Sequence, residues 1–372
     1  MATTIKPNPA LLIQVLKQPD LFPGLDVALQ DLLLRQARRA GLLGRLEALL
    51  RENDLLKQLR PRVNHHLSSA RILVEEDRRM VIWEVNRVQR ALWQSGLSII
   101  LLKGAAYVFL DLPMARGRHV ADLDILMHPQ DFPLIESRMA QHGWQQAKLH
   151  PYDQRYYREW MHELPPLVHR QRLTELDIHH TIVPPVSRLR PDPQLLFSTA
   201  RDIPGHVDLK TLAPADLVIH AAVHAFYDSD FDKGLRALLD LDGLLRHGAG
   251  DSLFWQQLLP RARQLGLIAP LYYAMYFCKK LTDTPIPDAL LAEITADPLA
   301  PGIAARMVMK RLVGRIMTPG DPDRLEWLSW LAWSLLYIRS HWLRMPPGML
   351  VTHLTRKGFR KWRFDVRNRR VV

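Results

Sequence analysis

The chain has 372 residues, which at about 150 residues per domain allows two or three units. Apolar residues make up 48% and charged residues 24%, so wholesale disorder, collagen-like and low-complexity architectures are excluded. Fifty Lys and Arg against 38 Asp and Glu leave a formal charge of +12, which predicts an anionic partner such as nucleotide, nucleic acid or acidic lipid.

The single cysteine, Cys278, excludes an internal disulfide and a thiolate metal cage, and suits a reducing compartment. No run of 18 apolar residues occurs, so no transmembrane span is expected. Met1 to Asp20 does not read as a secretory signal. The expected location is cytoplasmic.

In chain order, residues 1–95 read as helical. Leucines recur at threes and fours from Leu25 to Leu50. A second segment, Leu67 to Gln94, carries Ile72, Leu73, Val81, Val85 and Val88 mostly at helical spacing. Gly96 is a plausible stop. Leu97 to Leu102 is a short apolar run ending at Lys103-Gly104, the pattern of a buried strand and a tight turn. Val120 to Met127 alternates strictly, which predicts a strand with unlike faces. Gln130 to His142 reads as a helix ended by Gly143, and Glu163 to Arg170 and Thr174 to Ile182 as two more strands. Helical patterns return at 211–227, 232–247, 253–278 and 303–317. The organisation expected is a small α/β core at 96–185 between helical regions at 1–95 and 186–372.

Asp-x-Asp occurs five times, but only Asp122/Asp124 falls inside an alternating strand. Side chains two apart on a strand share a face, so the two carboxylates should stand together while Leu123 and Ile125 point inward. Adjacent carboxylates repel unless a cation lies between them, and hard oxygen ligands suit Mg²⁺. The bland alternative is an edge strand with two solvated aspartates. A second acidic strand argues against it, because Glu175, Asp177 and His179 share one face there. A third carboxylate from a neighbouring strand would complete a site, with two metals an option, for phosphoryl or nucleotidyl transfer.

Gly104 at the strand end lets backbone N–H groups approach a phosphate, and Lys103, Arg116 and Arg118 are candidate nucleotide-binding cations. Taken singly, each of these is as easily a turn glycine or a solvated charge. His220 and His224 stand one helical turn apart and either line the cleft facing the acidic strands, as His179 does, or are ordinary half-buried histidines. Arg236 and Asp240, also one turn apart, read as an ion pair. Near the C-terminus, Trp327, Trp330, Trp333 and Trp342 crowd an apolar helix, and Arg356–Arg370 holds eight basic residues and one acid. That combination allows weak contact with a membrane surface or nucleic acid, hence a peripheral place at the inner membrane surface, or simply packs and solvates.

Leu102-Lys103-Gly104-Ala105-Ala106, Arg118 ahead of Asp122-Leu123-Asp124-Ile125-Leu126, Leu176-Asp177-Ile178-His179, and Leu217–His224 with Arg236 and Asp240 together resemble one family. It is the uncharacterised bacterial nucleotidyltransferase family of the DNA-polymerase-β-like superfamily, and the resemblance covers about 75–250. It implies an α+β fold with a mixed sheet. It also implies transfer of a nucleoside monophosphate from an NTP to an unknown hydroxyl-bearing acceptor, with pyrophosphate released. By position, Asp122, Asp124 and Asp177 would hold Mg²⁺ and act catalytically, and Gly104 would lie in the phosphate-binding turn. Lys103-Gly104-Ala105 lacks the serine that the superfamily usually carries there. A catalytically inactive nucleotide-binding or scaffold protein is therefore the second reading.

Overall fold

A computed structural model describes residues 10–147, 151–227, 231, 233–324, 326–348 and 350, the side chains of 151–153 excepted. The N-terminal region holds α1 (Leu11–Lys17), α2 (Val27–Arg39), α3 (Leu43–Glu52) and α4 (Pro61–Ala91). The leucine-rich stretch is two helices rather than one, because Gly41 turns the chain at φ +68. α4 opens on Pro61, whose missing N–H costs nothing in a first turn. Its middle departs from the expected stripe: Ile72 and Leu73 face solvent, while Val81, Val85 and Val88 are buried.

The core follows as β1 (Ile99–Leu101), α5 (Lys103–Phe109), β2 (Leu123–Leu126), α6 (Phe132–Gln141), β3 (Trp144–Gln146), α7 (Pro151–Trp160), β4 (Leu167–His169) and β5 (Glu175–His179). After α8 (Pro193–Thr199) come β6 (Arg201–Asp202) and β7 (Leu209–Thr211). The fold is α+β: one seven-stranded mixed sheet in the order β3-β4-β5-β2-β1-β7-β6, with helices on both sides in sequence. β2 runs parallel to β5, and β1 parallel to β7. The sheet therefore continues to Thr211, past the expected α/β stretch, because β6 and β7 are too short to show a period of two. The helix α7 and the strand β3 likewise carry no clear periodicity.

The remaining helices are α9 (Pro214–Tyr227), α10 (Gly234–Gly248), α11 (Phe254–Gln264), α12 (Ile268–Leu281), α13 (Asp288–Ala296), α14 (Ile303–Ile316) and α15 (Trp327–Arg344). The expected helix at 253–278 breaks at Gly266, φ +67. α9 is buried on nearly every side, consistent with its apolar sequence. Its first turn is fixed by Asp216, which is fully buried and accepts from Arg261 Nε at 2.6 Å and Thr199 Oγ1 at 2.8 Å. Among the described residues no helix is long and apolar enough to cross a membrane.

Two polar ties position the acidic strands. Arg118 Nε donates to Asp240 Oδ2 at 2.9 Å and so joins the loop before β2 to α10. Glu84, only 3% exposed on α4, takes a two-pronged bond from Arg172 (Nε 2.7 Å, Nη2 2.9 Å) and a third from Thr174 Oγ1 at 3.0 Å. Arg172 and Thr174 lie in the turn between β4 and β5, where Leu173 adopts φ +59. α4 thereby clamps the turn that leads into β5. Glu84→Ala leaves the Arg172 guanidinium without its carboxylate and should destabilise the fold by about 3 kcal/mol, the lower end for a buried pair because Arg172 keeps some access to water. The urea midpoint reads this; an unchanged midpoint would show that the clamp contributes nothing.

Candidate functional site

The register of β2 on β5 assembles the site. In this parallel pair Leu123 aligns with Leu176, Asp124 with Asp177, and Leu126 with His179. Leu123, Ile125, Leu176 and Ile178 are all buried on the opposite face. One face of the pair therefore packs as core, and the other brings Asp124, Asp177 and His179 together, as period two requires. Asp122 sits one step before β2 and is exposed. One carboxylate oxygen from each of Asp122, Asp124 and Asp177 lies within 4.8 Å of the others.

The environments of these three differ sharply. Asp124 is 2% exposed, and its Oδ1 accepts from Lys103 Nζ at 2.6 Å and His179 Nε2 at 2.9 Å. Burial alone would raise its pKa, but the Lys103 ammonium and the His179 bond overcome that and hold it well below the usual carboxylate range. Asp177 is half-buried, and burial together with the neighbouring Asp124 pushes its pKa up to about 7. Its Oδ1 is buried without a hydrogen-bond partner among the described residues. The pattern is one carboxylate held ionised beside one that resists ionisation. An orphaned buried oxygen facing two more carboxylates fits a hard divalent cation, which would relieve the repulsion and supply the missing partner.

The structure places the other candidates unequally. Lys103 is the cation in contact with the acidic cluster, and it takes φ +45 as the first residue of α5, a left-handed position that favours glycine. Gly104 is buried, and a Cβ there would collide with the Arg118 guanidinium and lie 3.0 Å from Val120 Cγ1. The close approach it permits in this structure is therefore that of Arg118. Arg118 is bonded to Asp240 and stands 5.4 Å over the Tyr107 ring. Arg116 is exposed, 3.7 Å from Glu52. Asp240 accepts from Arg118, because the approach of the loop to α10 offers a buried guanidinium.

His220 and His224 project from α9 into a narrow pocket shared with Lys103, His162, Val183 and Tyr227. Burial, then the charges of Lys103 and His179, hold His220 well below the ordinary imidazole range, so it is neutral. His162 and Glu163 went unnoticed in the sequence. The strand expected over Glu163–Arg170 forms only as β4, Leu167–His169, and Glu163 pairs with His179 through an isolated bridge that the sequence does not mark. The other described Asp-x-Asp carboxylates are engaged elsewhere: Asp242 with Arg246 and Thr284, and Asp321 and Asp323 with Arg35. Asp228/Asp230 and Asp232 lie outside the described residues, as does Arg356–Arg370.

The sheet thus brings Asp124, with Asp122 one residue ahead of its strand, beside Asp177 on the parallel neighbour. The chain belongs to the uncharacterised nucleotidyltransferase family, whose model matches residues 27–283, a span that takes in all seven strands and the helices α9 and α10. No curated protein and no solved structure matches it.

The raised Asp177 pKa makes a prediction about stability. A carboxyl whose folded pKa exceeds its ordinary value of 3.8 destabilises the fold once ionised. That penalty is absent below the ordinary value, grows as pH rises, and is complete above about 7. Asp177→Asn should therefore raise Tm at pH 8 in metal-free buffer and leave it unchanged near pH 4. An equal shift at both pH values would assign the effect to packing instead.

Proposed function

We propose that the chain is a Mg²⁺-dependent nucleotidyltransferase of the polymerase-β-like superfamily. It moves a nucleoside monophosphate from an NTP to a hydroxyl-bearing acceptor and releases pyrophosphate. The observation that carries this reading is the convergence of Asp122, Asp124 and Asp177 within 4.8 Å, with the Lys103 ammonium 2.6 Å from Asp124.

Asp122, Asp124 and Asp177 would hold the ion. Bound there, Mg²⁺ supplies positive charge to a triphosphate whose own charge would otherwise repel the three carboxylates. Lys103 offers an ammonium to the phosphates, and its partner Asp124 fixes where that ammonium sits. Asp177, with a pKa near neutrality in the free protein, accepts the proton of the acceptor hydroxyl. The acceptor oxygen then bonds to the α-phosphorus as the bond from that phosphorus to the bridging oxygen breaks, and pyrophosphate leaves with the electron pair. The narrow pocket bounded by His162, His220 and His224 lies beside Lys103. Arg116, exposed ahead of β2, is a further cation for the triphosphate, while Arg118 is tied to Asp240 against Gly104.

Asp122 is exposed and makes the cleanest test. Asp122→Asn should lower Mg²⁺-dependent turnover of labelled NTP by about 100-fold or more with Tm unchanged. Asp124→Ala should abolish turnover too, though it leaves Lys103 without its carboxylate. Unchanged turnover in Asp122→Asn refutes the assignment. The second reading, a nucleotide-binding or scaffold protein without the reaction, draws on the Lys103–Asp124 pair, which neutralises one carboxylate with no metal. Calorimetric NTP binding that ignores Mg²⁺, or no binding at all, would favour it.

A peripheral partner has its own support. On α15, Trp327 (69% exposed), Leu331, Leu335, Ile338 (53%) and Trp342 (43%) follow one another every three or four residues along one exposed stripe. Arg188 stacks on Trp342 at 4.4 Å, at the helix end that precedes the basic Arg356–Arg370 sequence. An exposed apolar stripe leading to clustered cations matches an anionic membrane surface. Leu331→Glu with Leu335→Glu should abolish co-sedimentation with phosphatidylserine vesicles. Retained sedimentation, or equal binding to neutral vesicles, would reject the surface, and salt-sensitive binding to RNA in its place would favour nucleic acid.

A further inference from the structure

We infer that His162, Glu163 and His179 form a second metal site, for a borderline divalent ion such as Zn²⁺, one hydrogen bond away from the three aspartates. His162 Nε2 and Glu163 Oε2 are 3.8 Å apart, and Glu163 Oε2 and His179 Nδ1 are 3.6 Å apart. All three donor atoms fall within 4.8 Å of one another. Zinc bonds of about 2.0–2.1 Å in a tetrahedron hold their ligand atoms roughly 3.4 Å apart, close to the two separations that Glu163 makes.

The backbone holds these residues in place. Glu163 forms an antiparallel bridge with His179. Leu164 N–H donates to the Ile178 carbonyl and His180 N–H to the His162 carbonyl, both at 2.9 Å. The 162–164 segment is thus laid along β5 as a short extra strand. His179 is 1% exposed, and the His162 and His179 rings lie 5.1 Å apart.

The bond to Asp124 fixes the orientation of the imidazole. His179 Nε2 lies 2.9 Å from Asp124 Oδ1, which aims Nδ1 at Glu163 Oε2, 3.6 Å away. Carboxylate, imidazole and metal in series is the usual way such a ligand is oriented. Two nitrogens and one oxygen suit a borderline transition ion, whereas the all-oxygen aspartate cluster suits a hard one. The two sites would then take different metals and share Asp124, as ligand in one and as outer partner in the other. The open position of the second site would face the pocket that His162 lines with Lys103, His220 and His224.

The test uses the full chain, stripped with chelator, given Zn²⁺, desalted and analysed for metal. About one zinc per chain is expected in the wild type and in Asp122→Asn. His162→Ala and Glu163→Gln should each weaken binding at least about 10-fold. Co²⁺ added to the stripped wild type should give the visible absorption of a nitrogen-and-oxygen site, a readout that needs no variant to fold. Absence of stoichiometric zinc and of that absorption overturns the inference. Zinc that survives His162→Ala, or that is lost in Asp122→Asn, overturns it as well, by placing the ion elsewhere. Because the aspartate variant separates the sites, failure here would leave the nucleotidyl-transfer reading standing.

Discussion

Everything in the site turns on how one carboxylate is kept charged inside the protein. Asp124 is buried in the middle strand of the sheet, where an isolated carboxylate would take up a proton. Lys103 and His179 prevent that by bonding the same oxygen from two sides. The charge is thus fixed in place before any ligand arrives, with its surroundings already oriented. Such preorganisation is what transition-state stabilisation draws on, because nothing must rearrange at the moment of reaction.

The scaffold can be understood as the means of holding that charge. β2 carries Asp124 and β5 carries His179 and Asp177, and their parallel register sets the three at fixed spacing. Lys103 arrives from the end of β1, held there by a left-handed backbone angle at the mouth of α5. The Glu84–Arg172 clamp from α4 and the Arg118–Asp240 tie to α10 keep the two helical regions against the strands. The same burial that stabilises the Lys103 pair leaves Asp177 short of partners. Stability is given up at Asp177, whose carboxyl is buried beside Asp124 with its Oδ1 unpartnered among the described residues.

Much of the centre was legible in the sequence. Strict alternation at 120–127 and 174–182 located the strands of Asp124, Asp177 and His179, although the first begins only at Leu123 and leaves Asp122 just ahead of it. The outer strands and α7 were not legible, since two or three residues carry no period. Long leucine-rich patterns concealed helix breaks at Gly41 and Gly266, where a single left-handed residue decides the path. Side-chain ties between distant elements, Glu84 with Arg172 and Arg118 with Asp240, leave no local trace at all. The burial of Lys103 against Asp124 belongs to this class as well, for the sequence offers a lysine before a glycine without saying which way it points. His162 and Glu163 acquire meaning only once the chain lies down beside β5.

The most direct test of the account is the position of a bound ion. Crystals of the chain with Mn²⁺ and a non-hydrolysable NTP analogue would reveal the metal by its anomalous scattering. The account predicts a peak coordinated by Asp122, Asp124 and Asp177, with the triphosphate beside Lys103. A nucleotide seated elsewhere, or Lys103 still bonded to Asp124 with no ion among the three carboxylates, would contradict it.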